Sequence, residues 1–280
     1  MHAQRDAAVE IEVVEGTIPP GERLREVMDG ADVAFSLVGY STPATAAQDP
    51  VSSASASVIP ALTVLECARR SGVPRVVIAS SGGTIYGPAS DLPTPEAHRL
   101  QPISVHGVHS QAIESYADLY RRSYGLGTVV LRFSTVYGPG ERVRGEQGVI
   151  AAWCEALARD EPVVVIGDGE TRRDFLYASD AAAAAEAAGA LDVSGVYNVG
   201  SGRSHSLAEL LQVLEQVTGR TPRVEYRSKR AIDVPVTELD SLLFSTATGW
   251  VPRYELAEGV ERTWAWTNST LPRPGDVVLD

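Results

Sequence analysis

Lysine is almost absent from this chain: Lys229 is the only one, and arginine supplies the rest of the 24 basic residues. A reaction that needs a lysine cation therefore has one candidate. Cysteine is scarce too. Cys67 and Cys154 have no partner at C-x-x-C spacing, so no metal site is expected. Both lie in segments that read as helices, which predicts buried thiols in a reducing compartment. The N-terminal stretch has no apolar leader core, and no run of roughly 18 apolar residues occurs anywhere. A cytoplasmic protein without a membrane partner is expected. A basic surplus is also missing. The formal charge of −12 argues against nucleic acid, because phosphate neutralisation needs a basic face. It leaves room for one small anionic ligand in a local arginine pocket.

What is present is ample for folding. With 280 residues, 44% of them apolar, the chain is long enough for a large core or a domain with a smaller lobe. Short β-branched runs alternate with amphipathic stretches. Strands are predicted at 9–14, 31–39, 75–81 and from 127. Helices are predicted at 21–30, at 56–72 with Pro60 near the start or at a bend, and from His106 onward. This order implies a parallel sheet with helices on both faces. Beyond residue 140 the periodicity predicts a helix over 148–160 and a strand with a loop over 162–180. An alanine-rich helix comes next, then a strand, a Gly-Ser turn and a helix over 195–219. Ser206 and Glu209 have the spacing of a capping box. A strand in "TPRVEYRS" and a helix in "ELAEGVERTWAW" complete the chain.

Five segments come in a telling order: "SSGGTIYGP" (80–88), "VVLRFSTVYGPGER" (129–142), "GDGETRRDFLYASDAA" (167–182), "YNVGSGRSHSLAEL" (197–210) and "TGWVPRYELAEGVERTWAW" (248–266). In order and spacing they resemble the extended short-chain dehydrogenase/reductases, and more narrowly the NAD-dependent epimerase/dehydratases of nucleotide sugars. The resemblance covers roughly residues 9 to 266 and implies an α/β fold. Its parts are a Rossmann-like doubly wound parallel sheet over 1–147 and a smaller C-terminal α/β lobe over 148–280 that holds the substrate. The chain is free to cross back between the two. A homodimer formed through the helix at 106–122 is also implied.

Two departures set the functional expectation. A dinucleotide site needs a strand, a glycine-rich turn and a helix N-terminus to receive the pyrophosphate. The opening of this chain reads as the family's third strand, so the sheet is expected to be N-terminally incomplete and to lack that turn. "GDGETR" at 167–172 precedes no helix and is not a substitute. Second, the family's catalytic tyrosine falls at His106 and its lysine, four residues on, at Ser110. Lys229 does not restore the pair, because Tyr226 stands three residues before it, not four. The family's Ser/Thr partner falls at Gly82, flanked by Ser81 and Thr84.

The catalytic candidates are therefore His106, Ser110, Ser81 and Thr84. His106 has three open readings: a new acid/base group, a relic of a lost site, or a packing residue. His109 reads as solvent-facing. On the substrate side, the resemblance implies that Arg173 binds diphosphate and that Arg230 with Asp233 contacts phosphate and ribose. It places Thr135 in the substrate pocket, and Tyr137 is a further candidate there. Planar guanidinium groups suit phosphate oxygens, and surface ion pairing is the competing reading for both arginines. The expectation is a non-redox isomerase, lyase or cyclase on a nucleotide-sugar-like, phosphorylated or natural-product molecule, with no bound cofactor. An NAD-dependent nucleotide-sugar enzyme whose N-terminal segment is missing or supplied by a partner is one alternative. A non-catalytic binding subunit is the other.

Overall fold

A computed structural model describes residues 11–18, 21–39, 43–141 and 148–271. The chain runs α1 (Glu22–Met28), β1 (Val33–Ser36), α2 (Pro43–Gln48), α3 (Pro50–Ser71), β2 (Arg75–Ser81), α4 (Val105–Tyr124), β3 (Gly127–Phe133), β4 (Thr135–Tyr137) and α5 (Val149–Ala158). It continues with β5 (Val163–Ile166), β6 (Arg172–Tyr177), α6 (Ala178–Ala190), β7 (Gly195–Val199), β8 (Ser204–Ser206), α7 (Leu207–Thr218), β9 (Val224–Arg227), α8 (Leu242–Thr248) and α9 (Leu256–Thr270).

A four-stranded parallel sheet in the order β1-β2-β3-β7 forms the frame. Side chains alternate across its pleat. Val76 and Ile78 of β2 meet α3 and α4 on one face. Val77, with Val129 and Leu131 of β3, meets α6 on the other. Burying each such side chain stabilises by about 1.5–3 kcal/mol. The sheet thus has helices on both faces, as the alternating pattern predicts. Strand β7 joins it from beyond residue 147, so the chain does cross back.

A second core lies among α5, α7, α9, β5 and β6, around Trp153, Leu157, Val165, Phe175 and Leu210. Here β4, β6 and β8 form one small sheet and β5 and β9 another. Ser206 and Glu209 form the capping box at the start of α7, each accepting the other's backbone N–H.

Three local differences from the sequence pattern have physical causes. The strand expected at 9–14 does not form over residues 11–14, where Ile11 and Val13 are exposed and no strand among the described residues pairs with them; residues 9 and 10 lie outside the described residues. Alternation alone does not hold a strand without a ladder partner. Helix α3 begins at Pro50 rather than 56, because Asp49 caps it by accepting from Ser52 N–H at 3.0 Å and Pro50 suits the first turn. Helices α2 and α8 are too short to show a period. By composition and length α3 passes the test for a membrane-crossing helix, yet Val64, Leu65 and Ala68 are buried in the core of the sheet.

Candidate functional site

Two cavities lie on either side of β4. One, of about 390 Å³, opens at the carboxyl ends of β1, β2 and β3. Its walls carry Leu37 to Gly39, Ser81, Ser134, and from α4 His106, His109 and Ser110. The other, of about 470 Å³, is lined by Thr135, Trp153, Val164, Arg173, Arg227, Arg230 and Asp233, among others. Successive residues of a strand face opposite ways. That is why Thr135 belongs to the second cavity and Val136 to the first.

Helix α4 is set against the end of β2 by a close approach at Gly107. A Cβ there would stand 2.7 Å from the Thr84 carbonyl oxygen and 2.8 Å from Pro102. The first turn is capped by Ser104, whose hydroxyl accepts from Gly107 N–H at 3.2 Å. This brings His106 and Ser81 into one cleft. Gly82 is equally confined: a Cβ would stand 2.5 Å from Leu239 and 2.9 Å from the Arg132 carbonyl oxygen. A hydroxyl residue at that position would require Leu239 and the backbone at Arg132 to shift. The flanking hydroxyls are present instead, with Thr84 donating to Ser81 at 2.7 Å. Ser81 lines the cleft, whereas Thr84 sits behind it.

Beneath the cleft lies a buried ion pair. Arg132 donates to Glu114 at 2.6 Å, with both side chains under a tenth exposed. Ser80 also donates to Glu114. Arg132 donates to the Tyr86 hydroxyl, which in turn donates to Asn198, both at 2.7 Å. This network ties α4 to β2, β3 and β7. Ser110, expected in a catalytic role, is engaged with its own helix: its hydroxyl donates to the His106 carbonyl at 3.1 Å. A helical serine commonly makes this bond. His109 is not the solvent-facing residue that its position indicates. It lines the cleft, and its Nδ1 lies 3.3 Å from Ser53 Oγ on α3.

In the second cavity Arg173 is two-bonded to backbone, donating from Nη1 to the carbonyls of Arg172 at 2.8 Å and Val234 at 2.7 Å. It forms no ion pair among the described residues; the neighbouring Arg172 does, with Glu209. Burial holds the Arg173 guanidinium below its usual range, opposed by Asp233 and reinforced by Arg230. Arg230 meets Asp233 in a two-pronged contact at 2.9 and 3.1 Å. Arg227, missed in the sequence, adds a third guanidinium. Against Asp233 and Glu161 the lining retains an excess positive charge, suited to an anionic ligand. The signal for Arg227 was slight: an arginine at the end of a strand predicted only for its β-branched residues.

Tyr137 lies outside this cavity. It is buried, donates to the Leu256 carbonyl at 3.3 Å and packs against Phe175 and Tyr177, so its surroundings are those of a core residue. It borders a third space of about 280 Å³ together with Thr135 and Glu141. Burial pushes the Glu141 carboxyl up to about 7, and its Oε2 has no hydrogen-bond partner among the described residues.

The comparisons agree with this architecture. The family model described as the NAD dependent epimerase/dehydratase family matches residues 1–200. A putative UDP-glucose 4-epimerase of Methanocaldococcus jannaschii is 32% identical over 220 residues, 78% of this chain and 71% of that protein. The UDP-glucose 4-epimerase of Thermotoga maritima, solved with UDP-glucose, is similar with a TM-score of 0.85 and 32% identity, over 89% of this chain and 82% of the other. That of Thermus thermophilus, solved with NAD, has a TM-score of 0.83 and 30% identity, over 89% and 81%. The fold and this match together establish that the chain belongs to the NAD-dependent epimerase/dehydratase family.

One expectation is overturned. The absence of a cofactor does not stand, because the family is NAD-dependent and a structure similar over most of this chain holds NAD. Non-redox chemistry finds no support among these relatives either. The cleft itself fits one end of a dinucleotide. It lies outside the carboxyl ends of parallel strands, where such ligands bind, and offers the buried Ser134 Oγ, which has no hydrogen-bond partner among the described residues.

Proposed function

We propose that this protein is an NAD-dependent epimerase of UDP-hexoses. In this reading the nucleotide diphosphate lies in the arginine-lined cavity, and the sugar reaches past Thr135 to His106. The observation that carries it is the adjacency of the two cavities across β4 in a family that uses NAD. Arg173, with Arg230 held by Asp233, faces the diphosphate, and Arg227 adds charge. Trp153, Pro162 and Val164 give the apolar wall for the base. When bound, NAD supplies a hydride acceptor and donor. His106 takes the proton of the sugar hydroxyl during oxidation and returns it on reduction. Ser81 orients that hydroxyl, with Thr84 fixing Ser81. Among the described residues no strand pairs with the outer edge of β1, where Phe35 and Leu37 are exposed.

Cytoplasmic location is supported by the two free, buried cysteines. A homodimer through the outer faces of α3 and α4 is supported by exposed Ile59, Val108, Tyr116 and Leu119. Sedimentation of Leu119→Glu as a monomer tests it. The activity is tested by following the conversion of UDP-glucose to UDP-galactose with added NAD, together with thermal shift. UDP and UDP-glucose are expected to raise Tm. No stabilisation by either, and no conversion, would overturn the reading.

A further inference from the structure

The guanidinium groups of Arg173, Arg227 and Arg230 all line the cavity that also holds Trp153 and Val164, but they differ in what else they hold. Arg173 is half-buried and uses Nη1 on the carbonyls of Arg172 and Val234. Arg230 is gripped by Asp233 at 2.9 and 3.1 Å, which offsets its charge. Arg227 is exposed, and its side chain makes no hydrogen bond or ion pair with a described residue. Only its backbone is fixed. The Arg227 carbonyl accepts from Gly167 N–H at 2.8 Å, and its Cα stands opposite Ile166 in the ladder of β5 and β9. Val164 and Ile166 face the cavity, so the ladder delivers a free guanidinium beside that apolar wall.

The rest of the molecule opposes the approach of an anion. Its formal charge is −12, and a field of that sign slows a diffusing polyanion. A positive charge that is paired or sheltered projects little field into solvent, whereas an exposed and unpaired one projects its full share. We propose that Arg227 is the capture residue of this cavity: it draws the nucleotide diphosphate in from solvent and sets the rate of association, while Arg173 and Arg230 hold the diphosphate once it is bound. This rests on the reading that the cavity takes the nucleotide of a UDP-sugar. Capture and retention are then separate properties. Steering charges act on the association rate and weaken with salt, whereas desolvated contacts act on the dissociation rate.

The charges near Arg227 give this idea a second handle. Glu225 stands two residues earlier on β9 and is exposed. Strand alternation puts it on the face that Arg227 occupies, roughly 7 Å away. That is inside the Debye length of about 8 Å at physiological salt, so Glu225 opposes Arg227 without lining the cavity. Glu161 does line it, but enters two residues before β5, whereas Ile166 ends that strand. The strand alone adds roughly 10 Å between them, and salt screens Glu161 from Arg227. Lys229, exposed two residues beyond Arg227, adds to the positive side. Removing the Glu225 charge should therefore speed capture, an effect in the opposite direction to removing Arg227.

The test is stopped-flow mixing of the full chain with UDP over a range of salt, read by tryptophan fluorescence, since Trp153 lines the cavity. The native chain is compared with Arg227→Gln, Arg227→Lys and Glu225→Gln, and uridine serves as the uncharged control. At low salt Arg227→Gln is expected to lower the association rate of UDP by about tenfold, with the dissociation rate unchanged. Arg227→Lys is expected to stay close to the native rate, and Glu225→Gln to exceed it. These differences are expected to vanish at high salt, and uridine is expected to show none of them. A faster dissociation of UDP from Arg227→Gln with an unchanged association rate would overturn the capture role and make Arg227 a contact of the bound nucleotide. If UDP enters at a rate indifferent to Arg227, the capture role falls and the UDP-sugar reading stands. If the rates depend on Arg227 as stated but UDP-glucose is not converted with NAD, the capture role stands and the proposed activity falls. If UDP does not bind, both fall.

Discussion

The two cavities flanking β4 are built by different rules. The arginine-lined cavity carries fixed charge: Arg173 is held by backbone carbonyls and Arg230 by Asp233. The cleft at the strand ends has hydroxyls and two imidazoles, and its charge depends on pH. On the proposed reading, one surface holds an anion under all ordinary conditions and the other gains and loses a proton. A guanidinium is always charged, whereas an imidazole changes state near neutrality. The comparison therefore separates binding from chemistry in space, and substitutions on the two sides should be separable in their effects.

The largest effect is expected where both sides depend on the frame. Glu114→Gln leaves Arg132 buried without its counter-charge and is expected to cost about 3–5 kcal/mol of stability, measured by urea unfolding. It removes the contrast by loosening α4 while leaving the arginine cavity intact. His106→Ala sharpens the contrast: kcat is expected to fall by about 10²–10⁴ with UDP-glucose affinity unchanged by calorimetry. Arg173→Ala is the converse. Loss of a charged hydrogen-bonding group at about 1.5–3 kcal/mol lowers affinity for UDP and UDP-glucose alike by roughly 10- to 100-fold.

The smallest effect is at Glu141, between the cavities. Its folded pKa, pushed up to about 7, lies above that of an unfolded glutamate. Its contribution to stability is complete below the unfolded value and is lost as pH rises to about 7. Glu141→Gln is expected to flatten that loss in denaturant melts from pH 4 to 8.

Sequence and structure meet unevenly across this comparison. The motifs carrying Arg173, Arg230 and Asp233 were legible, because each is a short local signal on or beside a strand. The parallel sheet was legible from the alternation of apolar runs, and α7 from its capping box. The cleft was less so. That Gly82 is closely confined depends on Leu239, which lies 157 positions further along the sequence. That His109 faces inward depends on Ser53 of another helix. Arg227 joins the cavity only through the pairing of β9 with β5. Tyr137, read from its YGP turn as a pocket candidate, shares a strand face with Thr135, but its hydroxyl bond to the Leu256 carbonyl and its packing on Phe175 and Tyr177 place its ring in the core. Long-range packing decided each of these, and no local pattern encodes it.

The central claim is that one ligand spans both cavities. A crystal structure with UDP-glucose and NAD tests it most directly. The account predicts the diphosphate between Arg173 and Arg230, the sugar past Thr135, and its reacting hydroxyl within hydrogen-bond distance of His106. A diphosphate bound elsewhere, or a sugar turned away from His106, would contradict it.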